Sequence, residues 1–235
     1  MIFQQLFEPV TSTYTYLVAC PRTREAVLID PVVEELQAYL DTLAALDLKL
    51  VYTVETHIHA DHVTAAAALR DRLGSRSVVH AAGGAACADV TIRDGHVLHV
   101  GDLTLTARET PGHTNACVSW VMTDRVFTGD ALLIDGCGRT DFQEGDAGKL
   151  WDSIHRQLFS LPDETWVYPG HDYKGRTVST IGNERATNAR LGGDRPREDF
   201  IRLMGELSLA KPKFIDRALP ANQACGVERA APPQG

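Results

Sequence analysis

The segment that most constrains the fold is residues 48–62, where an apolar run passes directly into a cluster of metal-ligand side chains. The run LKLVYTVE predicts a buried strand. The following stretch, THIHADH, holds His57, His59, Asp61 and His62. Because side chains alternate along an extended chain, His57 and His59 should point to the same side. The strand therefore ends in a hollow where several ligands can meet.

Three more ligand candidates each follow a predicted strand and a glycine, namely His113 in ETPGHTNAC, Asp130 in VFTGDALL and His171 in VYPGHDY. Loops at strand ends often carry functional sites, because the sheet holds them rigid. These residues could instead be solvated loop side chains with one histidine in the core. That interpretation suits a lone histidine better than it suits this cluster. Structural or solvent-facing roles are predicted for the histidines within ordinary strands or on a helix: His80, His96, His99 and His155.

The order of apolar runs and turn signals predicts two sheets with helices between their strands. Predicted strands occupy 14–20, 25–29, 48–55, several short runs from 77 to 133, and 166–168; predicted helices occupy 36–44, 65–73, 149–161 and two segments within 180–209. This pattern favours an α/β (α+β) fold in which two sheets pack face to face under outer helices, a four-layer αββα sandwich. We predict one domain over 1–235, with C-terminal helices and a tail from about residue 180.

Composition narrows the class of protein. With 23 basic and 31 acidic side chains, a net charge of −8 and no run of Lys and Arg, the chain is not expected to bind nucleic acid. Its five cysteines are an odd number without a CxxC pair, which argues against a disulfide framework or a zinc cluster and predicts a reducing compartment. No segment approaches the roughly 18 apolar residues of a membrane span. A cytoplasmic location is predicted.

Four motifs in order, THIHADH and then GH at 112–113, GD at 129–130 and GH at 170–171, resemble those of the metallo-β-lactamase superfamily over almost the whole chain. The resemblance implies the αββα sandwich, with the metal pocket at one edge between the sheets. Within the superfamily, the stretches 130–146, 170–184 and 211–226 look like the persulfide dioxygenases. These iron enzymes oxidise glutathione persulfide to sulfite and glutathione.

The family resemblance also implies a ligand set. One Fe(II) per chain would be held by His57, His113 and Asp130, which are the predicted catalytic residues and form a facial triad of two imidazoles and a carboxylate. The superfamily's remaining ligand positions would then orient the ligands and tune the metal through hydrogen bonds, with a second metal left open. These positions are His59, Asp61, His62 and His171.

The implied substrates are glutathione persulfide and O2. Candidate substrate-binding residues near the ligand loops are Arg139, Tyr173 and Lys174, which offer a guanidinium fork, a phenol and an ammonium to an anionic peptide. Each could instead be a surface or ion-pair residue. Cys137, in a Gly-Cys-Gly turn, and Cys225 are predicted to pack rather than to react.

Two other functions remain open from the sequence. A dinuclear zinc hydrolase of glutathione thioesters, of the glyoxalase II type, would use the same histidines but would not be expected to share GCGRTDF or PANxxCG. A non-enzymatic binding or sensing module that kept the pocket is the second. The oligomeric state also stays open, with a homodimer among the assemblies considered.

Overall fold

A computed structural model describes residues 1–228 of the chain. Over this range the strands form two six-stranded sheets, ordered β1-β2-β3-β4-β5-β6 and β12-β11-β10-β9-β8-β7. The first sheet contains β1 (Ile2–Glu8), β2 (Thr13–Ala19), β3 (Glu25–Ile29), β4 (Lys49–Val54), β5 (Arg76–His80) and β6 (Val90–Ile92). The second contains β7 (Val97–Val100), β8 (Leu103–Glu109), β9 (Val118–Val121), β10 (Arg125–Gly129), β11 (Trp166–Pro169) and β12 (Ser179–Thr180).

Connection lengths decide which strands run parallel. Short turns join β1, β2 and β3 as antiparallel neighbours, whereas β3, β4 and β5 run parallel. The links between those parallel strands contain α1 (Leu36–Ala45) and α2 (Ala66–Leu73), because a parallel crossover needs a long connection that is usually helical. The carboxyl ends of β3 and β4 therefore lie at the same edge of the sheet.

Side chains alternate between the two faces of each strand, and this alternation places the sheets and helices in layers. In β3, Val27 and Ile29 enter the core between the sheets, where they share one cluster with Trp120 and Phe127 of the second sheet. Ala26 and Leu28 point to the other face and pack with the buried residues of α1 and α2. The first sheet is thus covered on both faces.

The outer face of the second sheet carries the later helices, α3 (Ala147–Ser153), α4 (Ile181–Thr187) and α5 (Arg197–Gly205). Val126 and Val167 from the sheet share a buried cluster with Leu150 of α3, Ile181 of α4 and Phe200 of α5. The four-layer αββα sandwich predicted from the sequence is confirmed.

The C-terminal region differs from its predicted form. After the two helices predicted within 180–209, the sequence predicts only a tail, but Ile215–Gln223 is a helix, α6, with Pro220 inside it. Its residues Ala218 and Ala221 pack against Val63 in the loop after β4. The composition of this segment did not predict a helix, because the apolar face of α6 consists mainly of small residues. The end of the predicted tail, 229–235, lies outside the described residues.

The cysteine prediction is wrong in one respect, because Cys87 and Cys225 form a disulfide. The pair is separated by 138 residues, so only the fold brings the two side chains together and their spacing carries no signal. The argument for a reducing compartment from the cysteine pattern therefore loses its basis. Within residues 1–228, none of the helices has the length and apolarity needed to cross a membrane.

Candidate metal centre

Each predicted ligand stands at the end of a strand on the same edge of the sandwich. His57 follows β4, His113 follows β8, Asp130 comes directly after β10, and His171 follows β11. The chain turns sharply at Gly129, whose φ is +50°, a left-handed conformation that glycine adopts without strain. An added Cβ there would lie 2.3 Å from the Thr56 hydroxyl. The backbone of the loop that carries Asp130 therefore packs directly against the Thr56 side chain of the loop that carries His57.

The three residues assigned to iron come together. One ligand atom from each of His57, His113 and Asp130 lies within 4.8 Å of the others. His113 Nε2 is 3.7 Å from Asp130 Oδ2, and the rings of His57 and His113 meet edge to face with centroids 4.9 Å apart. Two imidazoles and a carboxylate at this spacing could hold a single metal ion, and the donor set suits ferrous iron as well as zinc.

Hydrogen bonds to Nδ1 fix which ring nitrogen faces the centre. His113 Nδ1 lies 2.7 Å from the Arg139 carbonyl, and His171 Nδ1 lies 3.1 Å from the Ser12 carbonyl. A carbonyl can only accept, so in both rings Nδ1 carries a proton, and in the neutral form of each ring Nε2 is the nitrogen that holds the lone pair. The orienting partners leave the Nε2 atoms available to a metal.

His57 is oriented through Thr56. The Thr56 hydroxyl donates to Asp30 Oδ2 at 2.7 Å and lies 3.0 Å from His57 Nδ1. Since its one proton goes to the carboxylate, the hydroxyl oxygen accepts from His57 Nδ1–H. Asp30 is also held by the Thr56 backbone N–H at 2.7 Å. An Asp30–Thr56–His57 chain of hydrogen bonds thus directs His57 Nε2 toward His113 and Asp130.

The residues predicted to surround the triad lie beside it. His62 Nδ1 is 2.9 Å from Asp61 Oδ2, and His171 Nε2 is 3.6 Å from both Asp61 Oδ2 and Asp130 Oδ1. A second group that could hold a metal comprises His59, Asp61 and His62. All seven predicted metal-site residues therefore belong to one cluster, and its histidines are buried rather than solvated.

Sequence reasoning missed two buried carboxylates next to His59. His59 Nε2 lies 3.1 Å from Asp30 Oδ1 and 3.4 Å from Glu55 Oε2. Asp30 follows β3, where the Asp-Pro pair reads only as a break, and Glu55 follows the buried run of β4. The available signal was that both are acidic residues ending strands which run parallel and adjacent.

The electrostatics separate the two histidines of H-x-H. Burial, together with nearby His59 and His113, holds the pKa of His57 well below its usual value, so His57 is the neutral ring that a metal needs. Burial also opposes charge on His59, but Asp30 and Glu55 outweigh it and place the pKa of His59 well above the usual value. His57 and His59 therefore serve different roles although they are two residues apart.

A cavity of about 630 Å³ opens onto the triad. His57, His113 and Asp130 lie in its wall, and the aromatic ring of Phe142 and the side chain of Ile134 line it as well. Five basic side chains also line it: Arg139, Lys174, Arg176, Arg190 and Lys213. Four carboxylates line it too, those of Asp61, Asp130, Asp135 and Asp172, and the last two pair with Arg176. The side chains of Lys174, Arg190 and Lys213 have no carboxylate partner among residues 1–228, so they carry the charge that suits an anionic ligand.

The three predicted substrate-binding residues all line the cavity but differ in their contacts. The fork of Arg139 pairs with Asp141 at 2.6 and 2.7 Å and donates to the carbonyls of Leu209 and Ala210. Tyr173 is 73% exposed, and its ring stacks parallel to His171 with centroids 6.0 Å apart. No described residue accepts a hydrogen bond from the Lys174 ammonium. Arg139 is thus engaged within the protein, while Tyr173 and Lys174 face the opening.

The remaining predicted features behave as packing and surface residues. Cys137 is buried in its turn, and burial raises the pKa of its thiol to about 11, which removes it as a nucleophile at neutral pH. Cys225 is buried as predicted, although in a disulfide. His80 pairs with Glu109 at 2.7 Å, and His96 and His99 are exposed. These histidines lie outside the metal cluster.

Comparison with known proteins places this chain in a family. Residues 9–171 match the model of the metallo-beta-lactamase superfamily. The chain is 48% identical over 231 residues to human persulfide dioxygenase ETHE1, mitochondrial, covering 97% of this chain and 90% of the human protein. The crystal structure of ETHE1 from Myxococcus xanthus superposes with a TM-score of 0.94 at 54% identity, covering 97% of this chain and all of that one.

The similarity to hydrolases covers a smaller part of the chain. A hydroxyacylglutathione hydrolase from Polaromonas is 37% identical over 169 residues, which span 68% of this chain and 62% of the hydrolase. The match to the persulfide dioxygenases extends over nearly the full length of both partners, and the match to the hydrolase does not.

Proposed function

The chain belongs to the persulfide dioxygenases of the metallo-beta-lactamase superfamily, and we propose that it oxidises glutathione persulfide with O2 and water to sulfite and glutathione, using one Fe(II) per chain. The observation that carries the choice of ligands is the triad of His57, His113 and Asp130, whose two imidazoles have Nδ1 engaged elsewhere. When bound there, ferrous iron would supply the activation of dioxygen and a position for the persulfide sulfur.

The protein's own groups prepare this chemistry. Thr56 and the Arg139 carbonyl fix the two imidazoles, so the ligands are in place before substrate arrives. His62 and His171 both lie against Asp61, where they can hold its carboxylate in place. His171 also approaches Asp130 and lines the cavity, so it can exchange protons there. Burial of the cluster limits the access of bulk water to the reacting sulfur.

Substrate recognition is assigned to the basic entrance of the cavity. Glutathione persulfide carries two carboxylates, and its sulfur must reach inward to the triad. We assign carboxylate binding to Lys174, with Tyr173 as a hydrogen-bonding and stacking surface beside His171. Arg139 contributes to recognition by holding the cavity wall at Leu209 and Ala210. The preferred persulfide, the cytoplasmic location and a homodimeric state all stay predictions.

The alternative, a dinuclear zinc hydrolase of glutathione thioesters, is favoured by two observations: His59, Asp61 and His62 could hold a second metal, and part of the chain is similar to a hydroxyacylglutathione hydrolase. A binding module without turnover is favoured by none of the described contacts. The experiment that separates these functions measures metal content of protein purified without added metal, oxygen uptake with glutathione persulfide, and hydrolysis of S-lactoylglutathione.

We expect about one iron per chain, persulfide-dependent oxygen uptake and negligible thioester hydrolysis. His113→Ala should lose metal and oxygen uptake together, whereas His99→Ala, a matched change at an exposed histidine of β7, should retain both. Two zinc ions per chain with rapid thioester hydrolysis would establish the hydrolase instead. Full iron occupancy without oxygen uptake would leave the binding module.

The role of Arg139 has its own test. Arg139→Lys keeps the positive charge but removes the planar fork, so we expect a several-fold higher KM for glutathione persulfide with metal retained. Asp141→Asn supplies the comparison, because it weakens the Arg139 pair without altering Arg139. A raised KM in both variants supports a role for Arg139 in holding the cavity wall in place. A raised KM in Arg139→Lys alone would indicate that the Arg139 guanidinium contacts the substrate directly.

A further inference from the structure

A chain of hydrogen bonds leaves the candidate metal centre through the turn between β1 and β2. The Thr13 hydroxyl lies 3.1 Å from Asp61 Oδ2 and 2.7 Å from the Thr11 hydroxyl. The Thr11 hydroxyl in turn donates to Glu8 Oε2 at 2.5 Å. Two hydroxyls therefore connect the carboxylate of Asp61, beside the proposed ligands, to the carboxylate of Glu8 at the end of β1.

The other end of this chain lies at a second cavity, of about 260 Å³. Glu8 is not among the described residues that line the larger cavity, which opens onto the triad. Since the proposed reaction places glutathione persulfide in the larger cavity, water can still reach Glu8 from the second cavity while substrate is bound. The charged or titratable side chains that line the second cavity are those of Glu8, Glu34, Glu35, Asp61, His62 and Arg217.

The same turn holds Glu8 as a proton acceptor. Glu8 is 5% exposed, and its two oxygens accept from the backbone N–H groups of Val10 at 2.7 Å and Thr11 at 2.8 Å. Burial opposes the charge, but the hydrogen bonds from the Thr11 hydroxyl and from these two N–H groups outweigh burial and lower the pKa of Glu8. A proton that arrives on Glu8 at neutral pH is therefore released to the water of the second cavity.

The number of protons in the chain decides what it can do. With both carboxyl groups ionised, the three contacts between Asp61 and Glu8 share only two hydroxyl protons. Thr11 donates to Glu8 and Thr13 donates to Asp61, so the 2.7 Å contact between the two hydroxyls has no proton. One additional proton on either carboxyl group fills all three contacts. The chain can therefore take up a single proton at one end and release one at the other.

We propose that Asp61, Thr13, Thr11 and Glu8 form a proton exit path from the candidate metal centre to the second cavity. The inference rests on the proposed function, in which one glutathione persulfide, one O2 and one water become one glutathione and one sulfite dianion with release of two protons. When a proton reaches Asp61, Thr13 accepts it, Thr13 gives its own proton to Thr11, and Thr11 gives its own to Glu8. Glu8 releases a proton to water, and the two hydroxyls rotate back to their starting orientation.

Charge separates this path from the route of substrate and products. Within residues 1–228, the second cavity sets the carboxylates of Glu8, Glu34 and Glu35 against one guanidinium, that of Arg217. An acidic opening favours protons and disfavours anions such as the persulfide and sulfite. The larger cavity has the opposite character at its unpaired lysine and arginine side chains. Anions therefore enter and leave by the larger cavity, and protons leave by the second one.

The first test measures kcat for oxygen uptake per bound metal at low and high concentrations of a small buffer base, Tris, at constant ionic strength. Thr11→Val removes the hydroxyl but keeps the shape of the side chain. At low Tris its kcat should fall about 10-fold, less than the roughly 100-fold that a group transferring protons in the transition state contributes, because some protons still leave by the larger cavity. High Tris should restore kcat, and Thr11→Ser, which keeps the hydroxyl, should recover most of the rate without it.

Two further variants separate the path from charge and from folding. Glu8→Gln keeps the size of the side chain but cannot take up the proton, so it should show the same Tris-dependent loss even where Thr11→Val does not fold. Glu34→Gln removes the same charge from an exposed residue of the same cavity that lies outside the hydrogen-bond chain, and it should behave as the parent protein. An unchanged kcat in Thr11→Val and Glu8→Gln, or a loss that Tris does not relieve, would overturn the proposal.

A second measurement needs neither metal nor turnover. In carboxyl carbon NMR of the metal-free protein, the Asp61 signal should also report the titration step of Glu8, because the two groups share one proton through the hydroxyls. The Asp61 signal should lose that step in Thr11→Val and keep it in Thr11→Ser. Independent titrations of Asp61 and Glu8 in the parent protein would count against the path. A parent protein that consumes no oxygen with glutathione persulfide would contradict the proposed function alone, because the NMR comparison still decides whether the path exists.

Discussion

At the scale of single residues, the hydroxyl of Thr56 determines the orientation of the His57 ring. It is the only link in the described structure between the Asp30 carboxylate and the His57 ring, and it leaves Nε2 of that ring free for a metal. Thr56 also sets the neighbouring loop, because its side chain occupies the space that a Cβ at Gly129 would need. One side chain thus couples the ligand from the first sheet to the turn that carries Asp130.

Replacing Thr56 with valine should keep the shape of the side chain but leave His57 Nδ1 and one Asp30 oxygen without a partner. We expect metal affinity to fall about 10–100-fold, as is typical when a residue that orients a ligand is changed. Thr53→Val is the matched control, because the hydroxyl of Thr53, near the end of β4, is buried without a partner among the described residues. Equal metal affinities in the two variants, measured by competition with a chelator, would contradict the assigned role of Thr56.

The two kinds of ligand-loop histidine should respond differently to alanine. His113→Ala or Asp130→Ala removes a member of the triad and should strip the metal and abolish oxygen uptake. His62→Ala should retain most of the metal and lose activity by about 10–100-fold, because His62 Nδ1 bonds to Asp61 rather than to the triad. Metal content and turnover are measured on the same preparations. A His62→Ala protein as empty as His113→Ala would show that the centre is not mononuclear.

The sequence identified side chains that the fold brings together but not their hydrogen-bond partners, and the metal-binding roles of those side chains stay predictions. His57, His113, Asp130 and His171 each follow a strand and stand in a short recognisable motif, so local pattern was sufficient. Asn222 reaches the ligand loop from a helix far along the chain, and Asp30 meets His59 across two neighbouring strands. Such contacts depend on tertiary packing, which a local pattern does not contain.

At the scale of elements, the turn over residues 171–176 is organised by Asp172. Its carboxylate accepts from the backbone N–H groups of Lys174 and Arg176 and pairs with the Arg176 guanidinium at 2.7 Å. Burial opposes its charge, but these hydrogen bonds outweigh burial and lower the pKa of Asp172. The turn places Tyr173 and Lys174 at the cavity opening, so its order bears on substrate recognition.

The stabilisation from Asp172 should depend on pH. Because its pKa is lower in the folded protein, its contribution is present above the unfolded value of about 3.9 and is lost as pH falls toward the folded value. Asp172→Asn should therefore destabilise the metal-free protein by about 1.5–3 kcal/mol at pH 7, and by less at pH 3.5. Asp216→Asn, at an exposed ion pair with Lys211, should change stability little. Urea unfolding at both pH values measures the difference, and an equal loss at both would refute the charged role.

Among the elements, regular periodicity decided what the sequence could predict. Strands such as β3 and β4 were found because apolar residues alternate or run uninterrupted, and α1 because its leucines repeat at helical spacing. The helix α6 was missed because Pro220 and several alanines resemble a surface tail. The predicted helix at 149–161 instead changes to a π-helical turn at Ile154–Leu158, which keeps Ile154 and Leu158 buried.

At the scale of the whole molecule, the candidate metal centre draws its residues from both sheets. His57 comes from the first sheet, whereas His113, Asp130 and His171 come from the second. A metal bound to the triad therefore ties together two layers that otherwise meet through their apolar core. Since only the folded chain assembles this ligand set, metal binding should stabilise the folded state as a whole.

Removing the metal should accordingly lower the thermal midpoint of the entire protein rather than of one part. With free metal at 100 times Kd, the lost stabilisation is about 2.7 kcal/mol. For a chain of this size that corresponds to about 5–10 °C. If 1–235 is one domain as predicted, calorimetry should show a single transition both before and after chelation. The His113→Ala protein should already melt at the lower temperature, and added metal should not raise its thermal midpoint. Two separate transitions, only one of which responds to metal, would instead divide the chain into independently folding parts.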